Sequence, residues 1–317
     1  MISITAIRKS SNKIVVLGQH EPLIQSMLDF DYLSGKKQGS VVGIVTARRG
    51  YAKYFWGRSE ILIPTYTSVS KLNFDPKELV YLFFNITSGR RTLSSTLECL
   101  ELSKVFKGGV LFAEGMPELH SLELIKVAQR QKVFIVGPAS VGLIIPGVMK
   151  VGPICGITPE QVEEGKLTER GHVAVVSGSG GMTNELVSVA VQAGHRLSFA
   201  LSYGGDRFPV LSPRDAFLLA QSDPETKAVL YYGELGGEDE YELVKLKEEK
   251  VFTKPVIAHI AGTVASLFPE SPQFGHAKAK ADKQRVTAIA KRTALRSAGF
   301  QVSDSFTEFI SMVSKLK

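Results

Sequence analysis

Cysteine is scarce in this 317-residue chain. It has two, Cys99 and Cys155, which form neither a metal-ligand spacing nor a disulfide framework. Both read as structural, no metal site is expected, and the expected compartment is the cytoplasm, where thiols stay reduced. No apolar run approaches the ~18 residues of a membrane-crossing helix. The opening "MISITAIRKSSNK" lacks the apolar core and cleavage site of a secretory signal. Low-complexity tracts and short repeats are also missing. Positive charge is in excess, with 38 Lys and Arg against 31 Asp and Glu for a formal +7. It is spread along the chain without a nucleic-acid-binding motif, so neither nucleic acid nor membrane is expected as a partner. Two explanations remain, a solvated lysine-rich surface or a small acidic ligand bearing phosphates.

What is present is ordinary globular material, 44% hydrophobic and 22% charged, long enough for about two domains of ~150 residues. Short β-rich runs alternate with amphipathic stretches. "KIVVLG", "SVVGIVTA", "ELVYLFFN", "GGVLFAEG" and "KVFIVG" read as strands, and "STLECLELSKVF" and "SLELIKVAQRQ" as helices between them. That alternation predicts parallel βαβ units. It pauses at the Gly- and Pro-dense "GPASVGLIIPGVMKVGP", which places a boundary between domains 1–146 and 147–317. The second half resumes with strands at "GHVAVVSGSGG", "RLSFALSYGG", "KAVLYYGELGG" and "KPVIAHIAG". Its helices are predicted at "MTNELVSVAVQAG", "DAFLLAQS", "EYELVKLKEE", "DKQRVTAIAKRTALRSAG" and "FTEFISMVSKLK". The expected class is α/β, with two doubly wound domains whose ligands sit at the carboxyl ends of strands.

Three glycine-rich loops in the second half follow strands. "SGSGG" offers Ser177, Ser179 and the amides of Gly180 and Gly181 at a helix N-terminus, a natural anion site, although Gly-Ser turns are common. "GELGGEDE" places Glu234 where it can accept from a histidine ring or remain a surface carboxylate. "FGHAKA" supplies His276, one of six histidines. The chain after it reads as the start of a helix, which leaves Lys278 and Lys280 at an end where the macrodipole disfavours cations. Together the three loops suggest a nucleophilic imidazole: one nitrogen attacks phosphorus, the other donates to a carboxylate, and a helix N-terminus receives the charge.

These residues carry a resemblance that covers nearly the whole chain. "MLDFDY", "EILIPTY", "AEGMPE", "GPASVG", "SGSGGMTNE", "YGGDRFP", "GELGGEDEY", "TKPVIAHIAGT" and "QFGHA" resemble, in order, the succinyl-CoA synthetase α subunit and ATP-citrate lyase superfamily. "GPASVG", Asn184 in "GGMTNE" and the first loop "GQHEPLIQSMLDFDY" look more like the citrate branch, and Asn184 is thereby expected near the substrate. The chain ends at Lys317 without a lyase domain, so it resembles most the small subunit of citryl-CoA synthetase. Two positions depart from the family pattern. Gly178 stands where relatives carry arginine, and Lys278 where they carry glycine, as if a positive charge had moved between loops to face the same phosphate.

The resemblance implies a Rossmann-like CoA-binding domain followed by a flavodoxin-like CoA-ligase domain. It implies that His276 is transiently phosphorylated and that Glu234 hydrogen-bonds it, with Ser177, Ser179, Gly180, Gly181 and Lys278 around the phosphate. Coenzyme A is expected at Gly18, Gln19 and His20, at Arg48 (or Arg49 after a one-residue slip), and at Phe112, Ala113 and Glu114. ATP and Mg²⁺ are expected on a larger ATP-grasp β-type subunit in a hetero-oligomer. The implied reaction, an ADP-forming acid–thiol ligation, makes citryl-CoA from citrate. Succinate as the acid, or a CoA-binding paralogue without turnover, are the alternatives.

Overall fold

A computed structural model describes residues 1–75 and 80–316. In the first half, valine, isoleucine and phenylalanine run together in β1 (Asn12–Leu17), β2 (Val41–Val45), β5 (Val80–Asn85), β6 (Phe106–Leu111) and β7 (Phe134–Val136). All six residues of β1 and of β5 are buried, as expected of parallel strands covered on both faces. The covering helices are α1 (Ile4–Lys9), α2 (Glu21–Leu33), α3 (Gly89–Glu101) and α4 (Glu118–Gln131). The strand read from "ELVYLFFN" is β5; its first two residues, 78 and 79, lie outside the described residues.

One pair was not expected from the sequence. β3 (Gly50–Trp56) and β4 (Ser59–Tyr66) form an antiparallel hairpin that extends the sheet edge. Their burial alternates, with Ala52 and Tyr54 inward and Tyr51, Lys53 and Phe55 outward, the period-two pattern of a one-sided strand. The sheet order is β3-β4-β2-β1-β5-β6-β7. β1 lies between β2 and β5, where the winding reverses.

The second sheet contains β8 (Gly142–Ile145), β9 (Met149–Val151), β10 (Val173–Ser177), β11 (Leu197–Ser202), β12 (Ala228–Glu234), β13 (Val256–Ala261) and β14 (Gln301–Ser303). Its order is β14-β13-β12-β10-β11-β8-β9. The first five are parallel neighbours, and β8 and β9 add antiparallel strands at one edge. Its helices are α5 (Pro159–Glu164), α6 (Gly180–Gln192), α7 (Pro213–Ser222), α8 (Asp239–Glu248), α9 (Ala288–Ser297) and α10 (Phe306–Ser314). β10, flanked by β11 and β12, is the reversal point here. The fold is thus mixed α/β, a Rossmann-like sheet followed by a flavodoxin-like one.

Two expectations change. A boundary after residue 146 would split the β8–β9 hairpin, whose strands pair with each other across residues 143–151. We propose instead that the domains divide at the link between β7 and β8, residues 137–141. The second change concerns the segment after His276, which is not helical. Ala279 N–H donates to His276 O and Phe274 N–H to Ala279 O, closing a compact turn. The α-helix read from Asp282 onward begins only at Ala288, where Thr287 caps it by accepting from Ala290 N–H. A helix is prevented by the neighbouring loop. Gly236, at φ 77°, comes so close that a Cβ there would lie 1.9 Å from Lys278 O. That packing of backbone on backbone needs the turn and tolerates only glycine opposite it.

Candidate active site

Four loops at the carboxyl ends of strands meet around His276. β12 ends at Glu234, and Glu234 Oε2 lies 2.8 Å from His276 Nδ1. A carboxylate can only accept, so Nδ1 carries a proton, and in the neutral ring Nε2 keeps its lone pair. The hydrogen bond to Glu234 raises the His276 pKa above its ordinary 6.5, against burial and the nearby Lys278, which lower it; Glu114 adds to the rise. The loop after β11 presses on the other edge of the ring. A Cβ on Gly205 would fall 2.7 Å from Nε2, so a side chain there would occupy the space beside the nitrogen that is free to react.

In front of the ring is a cavity of about 470 Å³. His276, Gly205 and Asp206 line it together with Gly180 and Gly181, Phe112 and Glu114, and the 139–141 link. Gly180 and Gly181 are the first two residues of α6, whose unpaired N–H groups and dipole favour an anion. Both halves of the chain therefore contribute to one cavity: a helix N-terminus and histidine from the second, and the "FAE" segment from the first.

Not every expected residue reaches it. Ser177 is fully buried; its hydroxyl donates to Tyr232 O at 2.9 Å and accepts from Ser179 N–H at 3.0 Å. It braces the turn and does not line the His276 cavity. The Ser179 hydroxyl caps α6 by accepting from Met182 N–H. Asn184 points elsewhere: its Oδ1 accepts from Cys155 N–H at 2.7 Å, and it lines a separate cavity of about 400 Å³ with Cys155. Asn184 lies one turn further along α6 than Gly180 and does not line the His276 cavity. Ala113 spends its carbonyl on Ala139 N–H at 2.8 Å.

Gly18, Gln19, His20 and Arg48 follow β1 and β2 on the same edge of the first sheet but do not line the His276 cavity. A chain of backbone bonds joins those strand ends, from Gly18 N–H to Val45 O, Ile86 N–H to Leu17 O and Phe112 N–H to Asn85 O. Arg48 and Arg49 are exposed, in a loop held by Thr46 Oγ1, which accepts from Arg48 N–H.

Lys278 is half-buried rather than solvated, and it lines a small cavity with Ser179, Glu234 and His276. Its ammonium lies 2.5 Å from Asp239 Oδ2 and 5.3 Å from the centroid of the Tyr203 ring. A Cβ on Gly178 would meet that same ring at 3.0 Å. The two positions that depart from the family pattern thus abut one tyrosine. Lys280 is exposed.

Sequence reasoning passed over Asp206, Asp239, Glu240 and Lys291. Asp206 follows a Gly-Gly at the end of β11, the same signal that drew attention to the other loops. Its Oδ2 is buried without a hydrogen-bond partner among the described residues. Burial raises its pKa, with the backbone amides of Met116 and Gly115 and the charge of His276 acting in the opposite direction. No cluster of three or more metal-ligating side chains occurs among the described residues. No helix there is long and apolar enough to cross a membrane.

The CoA-ligase family pattern matches residues 176–301, the stretch from β10 to β14 that holds Glu234 and His276. A probable ATP-citrate synthase subunit 1 of Neurospora crassa is 36% identical over 313 residues, 98% of this chain and 46% of that protein. Human ATP-citrate synthase is 35% identical over 314 residues, 28% of its length. The structure of Methanothrix soehngenii ATP citrate lyase in complex with citrate and coenzyme A superposes with a TM-score of 0.89, at 35% identity, over 96% of this chain and 49% of that one. The chain belongs to the ATP-citrate lyase and succinyl-CoA synthetase superfamily. It spans about half the length, or less, of these superfamily relatives. A dinucleotide-forming acetyl-CoA synthetase of Ca. Korarchaeum cryptofilum, at 18% identity and TM-score 0.67, shares the superfamily fold.

Proposed function

We propose that the chain is the CoA-binding and phosphoryl-carrying part of an ATP-dependent ligase that makes citryl-CoA from citrate and coenzyme A. The observation that carries this reading is the ring of His276. One nitrogen is tied to Glu234 at 2.8 Å, and the ring lines a cavity shared with the N-terminus of α6 and the "FAE" segment.

The proposed reaction has three steps. Nε2 attacks the γ-phosphorus of ATP, an N–P bond forms, and the P–O bond to ADP breaks. Glu234 holds the Nδ1 proton, so the imidazole keeps one tautomer and its developing charge is offset. The phosphoryl group on nitrogen, with about two negative charges, is an anion of the kind a helix N-terminus favours. A citrate carboxylate oxygen then attacks phosphorus and the N–P bond breaks, giving citryl phosphate. The CoA sulfur attacks the acyl carbon, loses its proton and displaces phosphate. ATP and its Mg²⁺ are assigned to a larger ATP-grasp subunit in a hetero-oligomer.

The choice of citrate over succinate is supported by the relatives named above. The test is incubation of the chain and its partner with γ-labelled ATP, then with CoA and either acid. Acid-labile label on the wild type and none on His276→Ala supports the reading. Label on His276→Ala, or discharge by succinate alone, overturns the histidine or the substrate, respectively. A wild type that binds CoA but is never labelled would be a paralogue without turnover.

A further inference from the structure

α9 buries Ala288, Lys291, Arg292 and Leu295, the i, i+3, i+4, i+7 positions that a helix turns to its core. Two of the four are cations. Arg292 is spent at the end of β13, donating to Ile260 O at 2.6 and 3.0 Å and to Thr263 Oγ1 at 2.6 Å. Lys291 has a different job. Its side chain is 1% exposed, and a buried ammonium is costly unless it is paired and its donors are satisfied.

The Lys291 ammonium has three donors and meets three oxygens: Glu234 O at 2.7 Å, Gly236 O, and Glu240 Oε2 at 2.6 Å. The two carbonyls accept hydrogen bonds and Glu240 is the ion-pair partner. The two carbonyls belong to the loop that presents the Glu234 side chain to His276. Glu240 is as deeply buried, accepts from Tyr231 Oη at 3.2 Å through its other oxygen, and packs so closely on the loop that a Cβ on Gly233 would lie 2.1 Å away. Residues 233–236 are therefore held by Glu240 and Lys291, which are themselves paired at 2.6 Å.

The histidine side of the pair is registered to the same place. Asp239, next to Glu240 at the start of α8, accepts from Lys278, two residues past His276, and from Tyr203 Oη at 2.9 Å. Tyr203 and Tyr231 then link the two acids, oxygen to oxygen at 3.4 Å.

We propose that Lys291 and Glu240 are positioning residues for the phosphoryl-accepting pair: the ammonium clamps the Glu234 and Gly236 carbonyls so that the Glu234 carboxylate stays on His276 Nδ1. This rests on the reading of His276 as phosphoryl acceptor, and the alternative is an ion pair that serves stability alone.

Two double variants of equal charge separate these. Glu240→Gln with Lys291→Met removes both charges and the position-291 donors to the two carbonyls. Glu240→Gln with Lys291→Gln removes both charges but keeps an amide NH₂ with two donors for the two carbonyls. Both avoid the unpaired buried charge that makes either single neutral variant unstable. The His276 imidazole is titrated by NMR in the full chain, assigned with His276→Gln. Around it stand Glu234 from β12, Glu114 after β6, Asp206 after β11 and Lys278 on its own loop, and only the grip on Glu234 is altered.

The expected result is that the methionine variant titrates closer to 6.5 than wild type and is phosphorylated about ten- to a hundredfold more slowly, the effect of a small misplacement. The glutamine variant should recover much of both. Equal titration and equal rates in the two variants overturn the proposal. Lys291→Arg covers the event that neither double variant folds. It keeps the pairing charge, but a planar fork replaces the point cation, so a folded Lys291→Arg with wild-type titration also overturns it. The titration needs neither ATP nor a partner. If the wild type is never phosphorylated, the functional reading fails while the clamp is still tested.

Discussion

His276 and Glu234 are far apart in the chain, 42 positions, and their chemistry is decided by which ring nitrogen faces which neighbour. Glu234→Gln is expected to slow phosphorylation by roughly 10²–10⁴-fold, the usual worth of an orienting group. The pH profile carries a sharper signature. Neutral imidazole is the nucleophile, so the wild-type rate rises with pH through a value above 6.5, raised by the Glu234 hydrogen bond. Without the carboxylate that midpoint moves down towards 6.5. A profile whose acid limb does not move in Glu234→Gln contradicts the pairing. At the free edge of the ring, Gly205→Ala places a methyl group against Nε2. It is expected to cost at least ~10²-fold in phosphorylation with unchanged CoA affinity, measured by labelling and by calorimetry. "FGHA" and "GELGG" were legible as chemistry-bearing only when the three glycine-rich loops were taken together and then through the family resemblance. Gly205 and Asp206 belong to the same type of loop but do not include a nucleophile, so they drew no attention.

Among the elements, the loop at 271–283 departs most from its sequence pattern. Alanine and lysine in "GHAKAKADK" favour a helix locally, yet only a 3₁₀ turn at Gln284–Val286 precedes the α-helix that begins at Ala288. Tertiary contacts override propensity here, with Gly236 packed on the backbone and Lys278 tied to Asp239. Lys278→Met keeps the length of the side chain and removes the ammonium. The expected outcome is a loosened loop, read as faster amide exchange and faster proteolysis between Gln273 and Lys283, with slower phosphorylation. Unchanged exchange would mean that the Asp239 contact does not hold the loop. The lysines that looked misplaced at a helix N-terminus are not at one. One is a tether and the other is exposed.

Over the whole molecule, α1 of the first half is stapled to the second sheet's domain. Arg8 lies 2.7 Å from Asp223, which follows α7, and the side chains are 4% and 0% exposed; Glu225 lies 3.2 Å from Arg8 Nε. Breaking a buried pair by removing one partner costs about 3–5 kcal/mol, the expected loss for Arg8→Met in denaturant unfolding at neutral pH. The Asp223 pKa lies below 3.8 because its hydrogen bonds to Arg8 and Thr226 and the charge of Arg8 outweigh the upward push of burial. A depressed carboxyl pKa stabilises the fold above 3.8, and that stability is lost as the pH falls through the folded value. The gap between wild type and Arg8→Met should therefore narrow in acid, and a gap that stays constant would assign the loss to packing.

At this scale the division of labour is clear. The sequence alone determined the α/β class, most strands, the order of glycine loops along the chain and the candidates His276 and Glu234, because periodicity and glycine placement act over a few residues. Tertiary structure decided which loops share a cavity, that Ser177 and Asn184 face away from it, that β3 and β4 join the first sheet, and that two lysines are spent on Asp239 and Glu240. Those outcomes depend on partners 39 and 51 positions away for Lys278 and Lys291. They are selected by burial, where an unpaired charge is too costly to remain, and no local pattern in the chain records that cost.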